Sequence, residues 1–272
     1  MNIGIIGGTG FYNPGLLENE KELPIKTPYG DTVLKSGYYR DRQILFLPRH
    51  GERHSVPPHL VNYRANIRAL REAGAGVVLA TAAVGSLNQE MRPGEIVLVD
   101  QFLDFTKSRP VTFFEGGEEG VLHVDVTNPY CSDLCRRLKE TAERLQIRVH
   151  HKGTYVCTEG PRYETAAEIR MFQLLGGDVV GMTGVPEAVL AREAGLCYAS
   201  LALVTNYAAG ISPQPLSHQE VVEMMGRSQS VLRRLICAAI ESLPQERSCS
   251  CMTAAAELGS LSGGKNNHKA ES

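Results

Sequence analysis

The sequence predicts an α/β fold: a single domain with a mixed, largely parallel central sheet flanked by helices. Three observations lead there. Short apolar runs alternate with segments of helical spacing along most of the chain. Several runs, such as VVLATAA at 77–83 and the stretch Cys197–Val204, are apolar throughout, as strands covered on both faces must be. Glycine and proline fall where these segments would start or stop. No internal repeat or second core interrupts residues 1–244, the predicted domain. Residues 245–272 lose periodicity and turn to Ser, Ala, Gly and Asn, which predicts a flexible tail outside the fold.

Taken in order, NIGIIG at 2–7 predicts a buried strand that ends in a glycine loop. DTVLKS at 32–37 and QILFLP at 43–48 predict a hairpin. Leu60, Tyr63, Ile67 and Leu70 recur at helical spacing, and Gly74 ends that helix. EIVLVDQFLD at 95–104 reads as one strand. Residues 105–130 are irregular, and irregular segments of such length are usually functional. A helix is expected over 132–147, a strand over 153–157, and a helix opened by the Thr165/Glu168 capping box and closed by Gly176. DVVGMT at 178–183 is a further strand, and Pro186 suits the first position of the helix that Gly195 ends. A last long helix follows a capping box formed by Ser217 and Glu220 and runs to about Leu243.

The chain has 272 residues, 43% hydrophobic and 21% charged, enough for one large core. A formal charge of −2 gives no electrostatic case for nucleic acid or an anionic membrane. No apolar run approaches the roughly 18 residues of a membrane span. Met1 leads directly into a strand without a basic region or cleavage site, so the expected location is the cytoplasm. Seven cysteines, an odd number, do not make a disulfide framework, and buried apolar thiols are the plainer reading. Cys249 and Cys251 are set apart as a CxC pair, since close exposed thiols bind soft metals or cycle redox state. One such pair without a second is a weak metal signal, and no metal ligand set is assigned.

The residues with chemistry sit in loops after strands, where open α/β sheets bind ligands. GIIGGTGF offers backbone N–H groups and the Thr9 hydroxyl to an anion. Pro14 interrupts the helix that a dinucleotide site needs, so a simple anion loop is better supported. Arg49 offers a bidentate fork for phosphate and His50 a further donor, against the plain reading of a solvated basic turn. The clustering of Arg49, His50, Arg53, His54 and His59 weakens that plain reading. Glu164 stands before a capped helix, where a carboxylate also complements the dipole, and Tyr163 beside it offers a flat face for a base. Asn206 ends an apolar strand and His218 opens a helix, so the two are expected to hold opposite ends of one small molecule. Met182 alone would be taken as core.

The motifs GGTGF, PRHG with PPHLVNYRANI, AAVGSLN, GTYVCTEGPRYET, GMTGVPE and VTN occur in this order over roughly residues 2–243. Together they resemble the trimeric purine nucleoside phosphorylase and methylthioadenosine phosphorylase family. The resemblance implies an α/β fold, a homotrimer or hexamer, and reversible phosphorolysis of an N-glycosidic bond with phosphate as co-substrate and no cofactor. It implies that Thr9, Arg49, His50, the backbone at Ala83, and Thr183 hold phosphate. Met182 would lie against the ribose and Tyr163 would flank the base. His123 would reach into a neighbouring subunit's site. Archaeal members carry a similar CxC and use disulfides, which allows a Cys131–Cys197 bridge here.

Overall wording resembles the methylthioadenosine branch, but Glu164, Asn206 and His218 resemble the inosine and guanosine phosphorylases. Elementary chemistry agrees with those three positions. A 6-oxopurine presents N1–H as donor and O6 and N7 as acceptors. A carboxylate at Glu164 only accepts and suits N1–H, while the Asn206 amide donates toward O6 or N7. Adenine at the same carboxylate would leave it unpaired. His218 at a helix start suits a 5′-hydroxyl. The expected function is therefore cleavage of inosine and guanosine in purine salvage, with Asn206, Glu164 and His50 catalytic. Methylthioadenosine or methylthioinosine phosphorolysis is the alternative. A histidine phosphatase, suggested by RHGE, and a non-catalytic nucleoside binder are more distant rivals.

Overall fold

The computed structural model describes residues 1–11, 15–51, 54–117, 120–212 and 217–255. Pro14, Arg53, residues 213–216 and residues 256–272 of the expected tail lie outside the described residues. The strands are β1 (Asn2–Gly7), β2 (Glu18–Thr27), β3 (Gly30–Tyr39), β4 (Arg42–Pro48), β5 (Ala75–Ser86), β6 (Ile96–Leu98), β7 (Gln101–Phe105), β8 (Val149–His150), β9 (Thr154–Thr158), β10 (Val179–Gly181) and β11 (Cys197–Tyr207). The helices are α1 (Tyr63–Glu72), α2 (Ser132–Arg144), α3 (Ala166–Leu174), α4 (Gly184–Glu193) and α5 (His218–Ser242).

One mixed sheet holds all these strands, and its central pairs, β4–β1, β1–β5 and β5–β11, are parallel. β11 shows why the central strands are apolar throughout. Tyr198, Ala202 and Val204 enter one core, while Cys197, Ala199, Leu201 and Leu203 enter the other, with the period of two that a strand imposes. Residues of α1 and α4 cover the first face, and residues of α2 and α5 the second.

The sheet opens where the site forms. One edge of β5 is paired with β11 from Val77 to Ser86. The other edge is shared: β1 pairs with Ala75–Ala80, and β10 pairs in the opposite direction with Gly85 and Ser86. Between them, among the described residues, Thr81–Val84 pairs with no strand on that edge, and the chain leaves β1 at Gly7 into this gap. Here the strand order changes, which is where α/β sheets form a crevice.

Three expectations need correction. β2 was not expected, because its sequence ENEKELPIKT is largely exposed and polar; it forms by pairing with β3 from Thr27 to Glu18. The single strand expected at 95–104 is two, β6 pairing with β11 and β8, and β7 pairing with β9. The flexible tail expected from residue 245 is packed as far as 255. Arg247 donates to the carbonyls of Gly76 (2.9 Å) and Gly195 (2.7 Å), and Cys251 and Ala254 are buried. Satisfying backbone carbonyls with a guanidinium needs no hydrophobic periodicity, so periodicity could not reveal it. The Ser217/Glu220 box is half formed: the Ser217 hydroxyl accepts from the Glu220 N–H at 3.1 Å. The Thr165/Glu168 box is complete. Among the described residues no helix is long and apolar enough to cross a membrane.

Candidate active site

A cavity of about 350 Å³ lies over the gap on β5. Thr9, Arg49, His50, Ala83, Tyr163, Glu164, Met182, Thr183, Asn206 and His218 all line it. They arrive from the ends of β1, β4, β9, β10 and β11, from β5 itself and from the start of α5. His123 is not brought there; it lies exposed on the irregular segment before α2.

At the cavity floor Arg49 is buried, but its fork does not face outward. Nε and Nη2 donate to the two Glu187 oxygens at 2.7 Å each, and Nη1 donates to the Thr81 carbonyl at 2.8 Å. The bidentate face assigned to phosphate is therefore taken by Glu187, and only the outer N–H groups of Nη1 and Nη2 are left for an anion. Burial disfavours the guanidinium's charge, yet Glu187 more than offsets this and raises the Arg49 pKa. Tyr198 also donates to Glu187 Oε1, at 2.7 Å. Glu187 was missed because a carboxylate in the first turn of a helix reads as ordinary dipole complementation.

His50 also differs from expectation. Its Nδ1 lies 2.8 Å from the Val56 carbonyl, which only accepts, so Nδ1 carries the proton. Burial, reinforced by Arg49, pushes its pKa down to about 4. At neutral pH Nε2 is thus a lone-pair acceptor, not the further donor expected from the sequence. The His54 ring lies 4.7 Å from His50 and 5.8 Å from His218, so three imidazoles line one wall.

The glycine loop after β1 does not act as a free cradle. The Gly8 N–H donates to Thr81 Oγ1 at 2.9 Å, and a Cβ at Gly8 would sit 2.5 Å from the Thr81 carbonyl. Close chain approach explains this glycine better than anion binding does. Thr9 remains on the cavity wall. At the far end, the Thr183 N–H donates to Tyr155 Oη at 3.2 Å, and its hydroxyl makes no cap bond to α4.

Asn206 and Glu164, the pair expected to read the base, are held tightly. β11 carries a register shift between Val204 and Asn206, which displaces Thr205 and sets Asn206 opposite Gly85. Asn206 Nδ2 donates to the Tyr207 carbonyl at 2.9 Å, while Oδ1 lies 2.7 Å from Thr205 Oγ1. The carbonyl only accepts, which fixes the amide's orientation and leaves one N–H to donate. Glu164 Oε1 accepts from Thr158 Oγ1 at 2.6 Å, and burial raises the Glu164 pKa. Tyr163 is more exposed and rims the same end of the cavity.

The profile of the phosphorylase superfamily matches residues 2–241. This chain belongs to that superfamily. It is 59% identical over 258 residues to the probable 6-oxopurine nucleoside phosphorylase of Moorella thermoacetica, covering 95% of this chain and 99% of the relative. It is 53% identical to the 6-oxopurine nucleoside phosphorylase of Pyrococcus furiosus, covering 93% and 97%. Methylthioadenosine phosphorylase from Schistosoma mansoni, solved in complex with adenine, is 34% identical and superposes with a TM-score of 0.89 over 94% of this chain and 96% of that one.

One more buried cation organises this phosphorylase-superfamily site. Arg109, in the irregular segment, donates to the carbonyls of Met182 (2.7 Å), Val185 (3.0 Å), Thr158 (3.2 Å) and Glu159 (2.6 Å). It ties the end of β9 to the turn after β10, through carbonyls on either side of Thr183. Glu193 holds the same segment through Thr112 and the Phe113 N–H, both at 2.8 Å. Nothing local in the sequence marks Arg109, since its partners, backbone carbonyls together with the Tyr63 hydroxyl and the Glu159 carboxylate, lie far along the chain.

Proposed function

We propose that this chain catalyses phosphorolysis of 6-oxopurine nucleosides, inosine and guanosine, to free base and pentose 1-phosphate in purine salvage. The observation that carries the reading is the pairing of Glu164 with Asn206 in one cavity. Glu164 retains acceptor capacity beyond its Thr158 bond, and Asn206 retains one N–H beyond its Tyr207 bond. An acceptor beside a donor matches the N1–H and O6/N7 edge of a 6-oxopurine. The names of the relatives at 53–59% identity point the same way.

In this reading the bond from the base nitrogen to the anomeric carbon breaks with its electron pair leaving on the purine. A phosphate oxygen forms the new bond to the same carbon. The hydrogen bond donated by the Asn206 N–H strengthens as negative charge grows on the base, which is the differential stabilisation that catalysis requires. The outer N–H groups of Arg49, the Thr183 hydroxyl and Thr9 hold phosphate. His50 Nε2 accepts from a phosphate hydroxyl, so it selects a protonated oxygen rather than adding positive charge. Met182 lies against the ribose, and His218 receives the 5′-hydroxyl. Phosphate is the only co-substrate in this scheme, and no metal or organic cofactor takes part. The working unit is a cytoplasmic homotrimer or hexamer in which His123 serves a neighbouring subunit; its exposed position outside its own chain's cavity supports that role.

Val221, buried beside His218 on the cavity wall, favours a second reading in which a 5′-methylthio group sits at this end. Product analysis tests the reaction class. Inosine with phosphate should give hypoxanthine and pentose 1-phosphate, and omission of phosphate should abolish base release. Equal base release with and without phosphate would instead mean hydrolysis.

A further inference from the structure

Away from the cavity, four cysteines share one small volume. Cys131 is the N-cap of α2, Cys197 opens β11, and Cys249 and Cys251 come from the segment after α5. Their sulfur atoms all lie within 4.8 Å of one another. Cys249 Sγ is 3.2 Å from Cys197 Sγ and 3.8 Å from Cys131 Sγ. All four are free thiols, so the Cys131–Cys197 bridge that the family resemblance allowed is not formed. Cys251 is buried and belongs to the core against α2 and α5, contrary to the expectation of an exposed CxC pair.

The spacing fits a metal. Four sulfurs placed about 2.3 Å from a central ion in a tetrahedron are about 3.8 Å apart, whereas a disulfide needs about 2.05 Å. The surroundings fit as well. Arg192 Nη1 lies 3.6 Å from Cys251 Sγ, and Arg247 Nη1 lies 3.9 Å from Cys197 Sγ. Neutral thiols need no cations, but four thiolates around a divalent ion carry two excess negative charges, which two guanidiniums balance.

We propose that Cys131, Cys197, Cys249 and Cys251 bind one zinc ion in a structural site that fastens the C-terminal segment to the domain. Zinc replaces the four S–H protons, which pass to solvent, and no atom changes oxidation state. Four thiolates leave no open coordination position, so the site is structural and not catalytic. Its place in the fold agrees: Cys197 and Asn206 lie at opposite ends of β11, about 30 Å apart along the strand. None of the four cysteines lines the active-site cavity.

Metal analysis of the full chain, produced with zinc and purified under reducing conditions, tests this. About one zinc per chain is expected. Cys197→Ser and Cys249→Ser should lose it, and Cys237→Ser, whose thiol lies outside the cluster, should keep it. Reduced and stripped wild-type protein should take up cobalt(II) with sulfur-to-cobalt charge-transfer bands and intense tetrahedral d–d bands. This readout needs no variant to fold. Chelation should lower the Tm by about 5 °C or more and leave kcat/KM unchanged below the transition. Wild-type protein that remains zinc-free and spectroscopically silent with cobalt after reduction would overturn the proposal. So would recovery of these cysteines as disulfides from zinc-replete protein.

Discussion

Asn206 can donate one hydrogen bond to a base because its other groups are committed to Thr205 and Tyr207. Asn206→Asp replaces that donor with an acceptor beside the Glu164 carboxylate. It should lower kcat/KM for inosine by about 10²-fold or more and narrow the gap to adenosine; an unchanged ratio of the two would remove Asn206 from base recognition. His50 carries a different consequence. Its pKa falls from 6.5 to about 4 on folding, so between these pH values the unfolded chain binds a proton that the folded chain does not. Stability from this group is complete above about pH 6.5 and is lost as pH falls toward about 4, by about 2–3 kcal/mol. The difference in urea stability between wild type and His50→Gln should therefore change between pH 7 and pH 4.5 by about that amount, while a constant difference would contradict the burial argument. Residue types were legible in the sequence, since Arg49, His50, Glu164 and Asn206 all line one cavity. Their hydrogen-bond roles were not. Glu187 and the Val56 carbonyl decide which N–H groups Arg49 and His50 have left, and neither partner is adjacent in sequence.

The elements that position the site differ in how openly the sequence displays them. β1, β5 and β11 are apolar on both faces, so composition alone revealed them. β2 is mostly exposed, and its pairing with β3 is what makes it a strand. The shift in β11 that aims Asn206 leaves no composition signal, because Val204, Thr205 and Asn206 read as an ordinary strand end. The segment after α5 is the plainest case. Arg42 donates to the Leu243 carbonyl at 2.9 Å, Arg247 binds Gly76 and Gly195, and Cys251 is buried. Truncation after Leu243 removes the last two anchors while leaving the cavity lining intact. The expected outcome is a Tm lower by about 5 °C or more with the inosine-to-adenosine preference unchanged. An unaltered Tm would mean that the segment contributes nothing to the fold.

At the scale of the whole molecule, one gap in a mixed sheet gathers residues from five strand ends, and Arg109 locks two of those ends from an irregular segment. Fold class and crevice were legible because alternating apolar runs and helical spacing predict a parallel core with ligands at its carboxyl ends. Overall wording is nearer to methylthioadenosine phosphorylases, whereas Glu164 and Asn206, as proposed readers of a 6-oxopurine, should discriminate by about 10⁴-fold where apolar pockets do far less. The most direct test is kcat/KM of the wild-type enzyme for inosine, guanosine, adenosine and methylthioadenosine under saturating phosphate. Inosine and guanosine should exceed both adenine nucleosides by a wide margin. A preference for methylthioadenosine over inosine would contradict the assignment of Glu164 and Asn206 as readers of a 6-oxopurine.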